Sequence, residues 1–242
     1  MGEVIYPDFS RRRTTEQTVN SGKLSLKDAK MILGKLPSVF EKYSFYPDGI
    51  VLTDKGPKVA VYVASGEGFN FTGRYFLDNY LHPRIESIGG FVLDPFKLCA
   101  EFRDPRIENQ NISVSAKKTM EERFGTVVIP TVNYGLSIPR SGLLFAILDG
   151  YPVDEGGSSE IAFMATNFGP VVVARSDFRL AESLASGTNW AVRHFATEKY
   201  SGGSYHEDPN TDLAYLKALR ATKQIIDRKL EKWFADTAKW QM

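Results

Sequence analysis

Short hydrophobic runs alternate with helical patterns along most of the chain. Each run is rich in β-branched or other apolar residues and is hydrophobic at successive positions, as in strands that are covered on both faces. The predicted strands are Val59–Ala64, Phe91–Leu93, Thr126–Ile129, Leu143–Leu148 and Val171–Ala174. Stretches with helical spacing separate most of them. The alternation predicts a doubly wound α/β fold with a parallel sheet of about five strands.

Two of the helical stretches have clear apolar faces. Apolar positions from Phe76 to Ile88 follow helical spacing, and Pro83 is expected to bend or divide this helix. The stretch Thr211–Trp240 predicts a long amphipathic helix near the C-terminus. Its apolar stripe consists of Leu216, Leu219, Ile226, Leu230 and Trp233. This stripe fits equally well against the sheet or against a second subunit.

The N-terminal part has a different character. It begins with a polar segment that lacks periodicity, and Ser25 is suited to cap a short helix that ends at Pro37. A short apolar piece, Ile50–Leu52, follows between turn residues. We therefore predict an N-terminal extension over residues 1–57 and an α/β domain over residues 58–242.

Composition narrows the function classes. Hydrophobic residues make up 43% of the 242 residues, enough for a real core, and 30 Lys+Arg against 29 Asp+Glu leave a net charge of +1. This balance argues against sequence-independent nucleic-acid binding. The single cysteine, Cys99, predicts a buried structural thiol, and the apolar runs are too short to span a bilayer. No secretory pattern is recognised at the start, so we expect a cytoplasmic protein without a membrane partner.

The segment Ala146–Pro170 is the richest in candidate chemistry. Its carboxylates are Asp149, Asp154, Glu155 and Glu160. A helix beginning at Ser158 or Ser159 would place Glu160 in its first turn, where the helix dipole stabilises an ionised carboxylate. Such a group can act as a nucleophile or stabilise a cationic sugar, although acidic residues are common in first turns for structural reasons alone. Asp154 lies six residues earlier on a glycine-rich connection and could reach the same pocket.

The loop after the first strand, Ser65–Asn70, is a weaker signal. Gly66 and Gly68 resemble part of a phosphate cradle, but the dinucleotide fingerprint is incomplete. Phe69 could stack on a flat base or belong to the core. The three histidines adjoin no nucleophile pattern, and motifs for metal or serine-hydrolase chemistry are absent. We therefore predict no metal and no cofactor.

Several segments resemble the nucleoside 2-deoxyribosyltransferase family. The resemblance covers about residues 58–219, and its most specific part is the block from Asp149 to Glu160. The matching segments are Val61–Gly66, Leu148–Gly150, Asp154 with Gly156, Ser158–Ile161, Arg175–Arg179, Gly187–Trp190 and Ser201–Gly203. The resemblance implies a flavodoxin-like sheet of five parallel strands. It also implies transfer of 2-deoxyribose between nucleobases through a covalent glycosyl-enzyme.

The same resemblance assigns roles to individual residues. Glu160 would be the nucleophile, Tyr62 would orient it by a hydrogen bond, and Asp154 would manage the proton of the base. Asn189 matches a residue that a neighbouring subunit contributes, which implies a homo-oligomer with shared sites. The remaining substrate-binding candidates are Asp149, Gly66, Phe69 and Ser158.

Departures from the family pattern leave the reaction open. Ser158 replaces a threonine, Gly142 stands where an aspartate is frequent, and the stretch Lys97–Gly125 has no recognisable counterpart. The alternative is an N-glycoside hydrolase of nucleosides or nucleoside 5′-monophosphates that uses the same glutamate. Arg74 is then a candidate for the phosphate. A nucleotide-binding module without catalysis is a third reading.

Overall fold

A mixed sheet of seven strands runs through the part of the chain that the computed structural model describes, residues 23–108, 112–149, 155–176 and 190–239. The strands are β1 (Ser44–Phe45), β2 (Ile50–Thr53), β3 (Gly56–Ser65), β4 (Gly90–Leu93), β5 (Leu143–Ile147), β6 (Val171–Arg175) and β7 (Ser204–Glu207). The parallel part has the order β4-β3-β5-β6-β7. Numbered from β3, this is the flavodoxin order 2-1-3-4-5. The predicted fold class is confirmed.

Helical segments connect these strands. They are α1 (Leu26–Leu33), α2 (Ser38–Lys42), α3 (Phe71–Phe76), α4 (His82–Ser87), α5 (Pro95–Ala100), α6 (Val114–Arg123), α7 (Ile138–Arg140), α8 (Glu155–Asn167), α9 (Trp190–Phe195), α10 (Glu198–Ser201) and α11 (Thr211–Lys239). Three π-helical segments, Leu77–Leu81, Phe124–Val128 and Thr131–Ser137, lie between α-helical ones. Short 3₁₀ turns occur at Pro47–Gly49, Gly66–Phe69 and Pro105–Glu108.

One predicted strand is wrong. Residues Thr126–Val128 lie in the π-helical segment that follows α6, and Ile129 is the helical residue after it. A short apolar run does not distinguish a strand from one buried side of a helix, and here Val128 packs in the core as a helical residue. The fifth parallel strand is instead β7, whose four residues are all half-buried and form no hydrophobic run.

The sheet separates two hydrophobic cores. In β3, Ala60, Tyr62 and Ala64 face one core, and the intervening residues Val61 and Val63 face the other. The first core includes residues of α5, α8 and the π-helical Thr131–Ser137 segment, and the second includes residues of α4 and α11. Successive strand residues thus point to opposite buried faces, which is why the central strand β5 is hydrophobic at every position.

The long C-terminal helix packs on the sheet. The α11 residues that enter the second core are Tyr215, Ala218, Leu219, Ile225 and Ile226. Leu216, which the sequence placed in the stripe, is 44% exposed and does not enter this core. Small Ala218 allows close approach to the strands, whereas the sequence pattern gave more weight to large residues. None of the described helices is long and apolar enough to cross a membrane.

The N-terminal elements join the same sheet. The Ser25 side chain accepts a hydrogen bond from the Asp28 backbone N–H, as the capping prediction requires. Helix α1 ends at Leu33, before the predicted Pro37, because Gly34 adopts a left-handed conformation with φ of 86°. Strand β2 pairs antiparallel with the beginning of β3, and β1 pairs with β2.

Candidate active site

The sheet has a topological switch point between β3 and β5. After β3 the chain passes to α4, which packs in the second core, whereas after β5 it passes to α8, which packs in the first. The two connections diverge at the carboxyl ends of adjacent parallel strands, where α/β proteins of this type bind ligands. The Gly66–Phe69 turn, Asp149 and the start of α8 lie at this edge.

Tyr62 and Glu160 meet in the first core. The Tyr62 hydroxyl donates to Oε1 of Glu160 at 2.6 Å, across 98 residues of sequence. The contact follows from two periodicities, since Tyr62 points to the α8 side of β3 and Glu160 lies on the buried face of α8. Of the candidate catalytic residues, these two are brought together as the sequence predicts.

Burial fixes the protonation of the tyrosine. Tyr62 is fully buried, and desolvation together with the nearby Glu160 carboxylate raises the pKa of Tyr62 well above its ordinary value. The phenol therefore keeps its proton at neutral pH and acts as a hydrogen-bond donor. Glu160 retains only 8% exposure. A carboxyl group with so little solvent contact has its orientation set by the protein.

Helix α8 begins earlier than the sequence predicts. It spans Glu155–Asn167, so Ser158 and Ser159 are helical residues rather than N-caps, and Glu160 lies in the second turn. The first-turn prediction for Glu160 is wrong. The buried residues of α8 are Gly157, Glu160, Ile161 and Met164, which form one helical stripe. Ser158 is half-buried on the same helix.

Asp149 is anchored at the end of β5. Its carboxylate accepts from the Ser176 backbone N–H at 2.5 Å, from the Ser176 hydroxyl at 2.8 Å and from the Tyr215 hydroxyl at 3.0 Å. Burial, followed by the Asp149 charge, raises the pKa of Tyr215 above its ordinary value. These donors join the ends of β5 and β6 to α11, so Asp149 has a fixed position at the carboxyl edge of the sheet.

The turn after β3 approaches the same region. Gly66 and Phe69 bound a 3₁₀ turn in which the Ser65 hydroxyl accepts from the Glu67 backbone N–H. The Glu67 charge contributes, after burial and Asp149, to the raised pKa of Tyr215. Phe69 is 80% exposed and lies edge-on to Phe96 with ring centroids 4.8 Å apart. It is therefore a surface aromatic and not part of the core.

The sequence did not identify Asn133. Its side-chain Nδ2 donates to Oε1 of Glu160 at 3.1 Å, and Cys99 donates through Sγ to the Asn133 Oδ1 at 3.7 Å. Cys99 is buried, as predicted, and burial raises the pKa of its thiol to about 12. Asn133 was missed because its segment is long, helical and without a motif. The one feature of the sequence that could have indicated it is a polar amide next to the core residue Val132.

A second polar cluster lies at the end of β4. Arg74 donates to both oxygens of Asp78, at 3.0 and 2.8 Å, and also to Asp94. Lys97 contacts Asp78 at 2.8 Å, and His82 lies 3.5 Å from the same carboxylate. Asp78, His82 and Asp94 are close enough to share a metal ion, but Arg74 and Lys97 already supply cations to the carboxylates. With two carboxylates attached, Arg74 is a poor candidate for binding a phosphate.

Two predicted site residues cannot be placed. Asp154, the proposed proton donor, and Asn189, the proposed contribution of a neighbouring subunit, lie outside the described residues. The described candidates are Tyr62, Glu160, Asp149, Gly66, Phe69 and Ser158.

No protein-family model matches this sequence, and no curated protein matches it. Among solved structures, a conserved protein from Enterococcus faecalis V583 is similar, with 18% identity, a TM-score of 0.43, and coverage of 69% of this chain and 98% of the other. A 2-deoxyribosyltransferase from Bacillus psychrosaccharolyticus has 18% identity and a TM-score of 0.36, covering 62% and 88%. A CMP N-glycosidase from Clostridium botulinum has 13% identity and a TM-score of 0.36, covering 65% and 96%. The similar structures thus include a member of the family that the sequence motifs resemble.

Proposed function

We propose that this protein cleaves N-glycosidic bonds of nucleosides, with Glu160 as nucleophile, and transfers 2-deoxyribose between nucleobases. The observation that carries the proposal is the buried hydrogen bond from Tyr62 to Glu160 at the switch point of the sheet. The sequence motifs around Asp149 and Glu160 support the choice of substrate. A carboxylate that is largely shielded from water, as Glu160 is, is suited to stabilise an oxocarbenium-like transition state.

The proposed reaction takes two steps, formation of a glycosyl-enzyme and transfer of its sugar to a second base. One oxygen of Glu160 forms a bond to C1′ as the C1′–N bond breaks, and the electron pair of that bond leaves with the base. We assign Asp154 to protonate the departing base. A second nucleobase then uses a nitrogen lone pair to attack C1′, the bond to Glu160 breaks, and the proton of that nitrogen returns to Asp154. No cofactor enters either step.

The substrate contacts follow the same assignment. Asp149, Gly66 and Phe69 surround the carboxyl ends of β3 and β5, and exposed Phe69 offers a ring face to a planar base. Ser158 lies on α8 two residues before Glu160. We assign Asn189 of a second copy to the sugar site, so the protein would act as a homo-oligomer with shared sites.

Hydrolysis is the alternative for the same site. Water would replace the second base as the nucleophile that releases the sugar from Glu160. A 5′-monophosphate requirement would need cationic or hydroxyl donors, and the engagement of Arg74 by Asp78 and Asp94 disfavours that residue for the role.

Product analysis separates these possibilities. The protein is incubated with a deoxynucleoside, with and without a second nucleobase, and the products are resolved chromatographically. A new nucleoside establishes transfer, and the sugar alone establishes hydrolysis. Unchanged substrate under all conditions, including with a 5′-monophosphate, contradicts the proposal and favours a binding module. The matched control is Glu160→Gln, which keeps the shape of the side chain and removes its charge.

A further inference from the structure

Glu160 receives two neutral donors on a single oxygen. The Tyr62 hydroxyl donates to Oε1 at 2.6 Å, and Nδ2 of Asn133 donates to the same atom at 3.1 Å. The two donors come from different elements, β3 and the π-helical segment Thr131–Ser137. Two directional bonds to one oxygen restrict rotation of the carboxylate about its terminal torsion, which is otherwise broad.

The orientation of the Asn133 amide is itself determined. An ionised carboxylate only accepts hydrogen bonds, so Asn133 must present its NH₂ group to Glu160 and its carbonyl oxygen elsewhere. Cys99 lies on that other side, with Sγ 3.7 Å from Oδ1. Because burial raises the pKa of the Cys99 thiol to about 12, the thiol keeps its proton and can donate. The chain of donors runs from Cys99 through Asn133 to Glu160.

Helix geometry supports a functional reason for this placement. Asn133 is only 5% exposed, and its neighbours Val132 and Leu136 are fully buried in the first core. The segment has π-helical hydrogen bonding, for example from the Ile138 N–H to the Asn133 carbonyl. π-Helical turns are energetically less favourable than α-helical ones and occur frequently at functional sites. Here the wider turn accompanies a polar side chain directed into an apolar core.

We propose that Asn133 is a positioning residue that fixes the plane of the Glu160 carboxylate and favours its ionised form. The inference rests on the proposed function of Glu160 and adds a residue outside the motifs of the sequence resemblance. Asn133 does not contact the reacting atoms in this role. It acts through Glu160, and Cys99 supports it by holding the amide orientation.

The effect of an Asn133 substitution on the ionisation of Glu160 depends on the titratable groups nearby. In the described part of the chain they include Tyr62 and Cys99, with Tyr134 acting on Tyr62 and Asp94 acting on Cys99. Replacing the amide by a carboxyl in Asn133→Asp places two acids within hydrogen-bond distance, so they share a proton. Asn133→Leu removes the donor at similar size. Both variants are expected to raise the pH at which Glu160 ionises, Asn133→Asp by more than about one unit.

The test combines activity with a spectroscopic titration. The protonated carboxyl stretch of Glu160 is followed by infrared difference spectroscopy against pH and assigned by its loss in Glu160→Gln. Activity of Asn133→Leu is expected to fall about 10- to 100-fold in kcat with little change in KM, because the lost bond is to a charged group. The acidic limb of the pH profile should move upward in parallel with the infrared titration. Asn167→Leu, on the exposed end of α8, is the matched control and should change neither.

The outcomes distinguish this inference from the proposed function. If Glu160→Gln is inactive but both Asn133 variants titrate and react as the wild type does, the positioning role is overturned and the proposed function stands. If Glu160→Gln keeps its activity, the proposed function fails, and the positioning role of Asn133 in catalysis fails with it. Should Asn133→Leu not fold, Asn133→Asp decides alone, and an unchanged titration overturns the inference.

Discussion

Two polar clusters bind their carboxylates with different kinds of hydrogen-bond donor. In the first, neutral Tyr62 and Asn133 donate to Glu160. In the second, cationic Arg74 binds Asp78 and Asp94. A carboxylate held by neutral dipoles keeps a charge that can respond to a developing cation, whereas one paired with guanidinium is compensated already. Under the proposed function, the first cluster would serve the chemistry and the second would contribute to stability.

The largest expected effect is on turnover. We expect Glu160→Gln to lower kcat at least about 1,000-fold, because the proposed nucleophile is lost. The free energy of unfolding should stay within about 1 kcal/mol of wild type or increase, since a buried charge is removed while the hydrogen-bonding shape remains. Steady-state kinetics and urea denaturation measure the two effects. A strongly destabilised variant would place this cluster with the structural ones.

A substitution in the Arg74 cluster should lower stability and leave turnover nearly unchanged. Arg74→Met leaves the Asp94 carboxylate, which is 5% exposed, without its guanidinium, so we expect a loss of about 3 kcal/mol of unfolding free energy. Turnover of the folded fraction should change little. The matched control is Lys223→Met, which breaks an exposed (i,i+4) pair with Asp227 and should remove only about 0.3–0.5 kcal/mol. Equal losses in the two variants would contradict a special role for burial.

A smaller effect on rate is expected at Tyr62. Tyr62→Phe removes one donor from Glu160 with little change in packing, so kcat should fall about 10- to 100-fold, the value of a hydrogen bond to a charged group. Losing that donor also favours protonation of the carboxyl, and the acidic limb of the pH–rate profile should move upward. Tyr80→Phe, a half-buried tyrosine stacked on Phe76, controls for hydroxyl removal in general. An unchanged pH profile in Tyr62→Phe would contradict the orienting role.

The smallest effect concerns acid stability. Hydrogen bonds from Arg74, followed by those from Lys97, lower the pKa of Asp78 from 3.8 to about 2. A lowered folded-state pKa contributes stability above the unfolded value, and this contribution is lost as pH falls from about 4 to about 2. We expect Asp78→Asn to lose about 1 kcal/mol near neutral pH, because solvent screens this half-exposed pair. Urea denaturation at several pH values should show a flatter decline for the variant over the acidic range.

The outcome at β7 and β3 shows where sequence patterns are informative. The part of β3 that is buried on both faces, Val59–Ala64, is hydrophobic at every position and was predicted as a strand. Strand β7 lies at an edge with half-buried residues, so its sequence carries no such run. The apolar run at Thr126–Ile129 had the composition of a strand, but its length did not separate it from a helix.

The sequence by itself determined the doubly wound fold class, the long C-terminal helix and the candidates Tyr62 and Glu160. These follow from local periodicity and from short motifs, which a linear chain displays directly. Only the tertiary structure decided that Asn133 donates to Glu160 and Cys99 to Asn133, that Arg74 is held by two carboxylates, and that Leu216 lies on the surface. Asn133 and Glu160 are separated by 27 residues, and Arg74 and Asp94 by 20. Hydrogen bonds across such distances depend on how whole elements pack, and no local pattern encodes that packing.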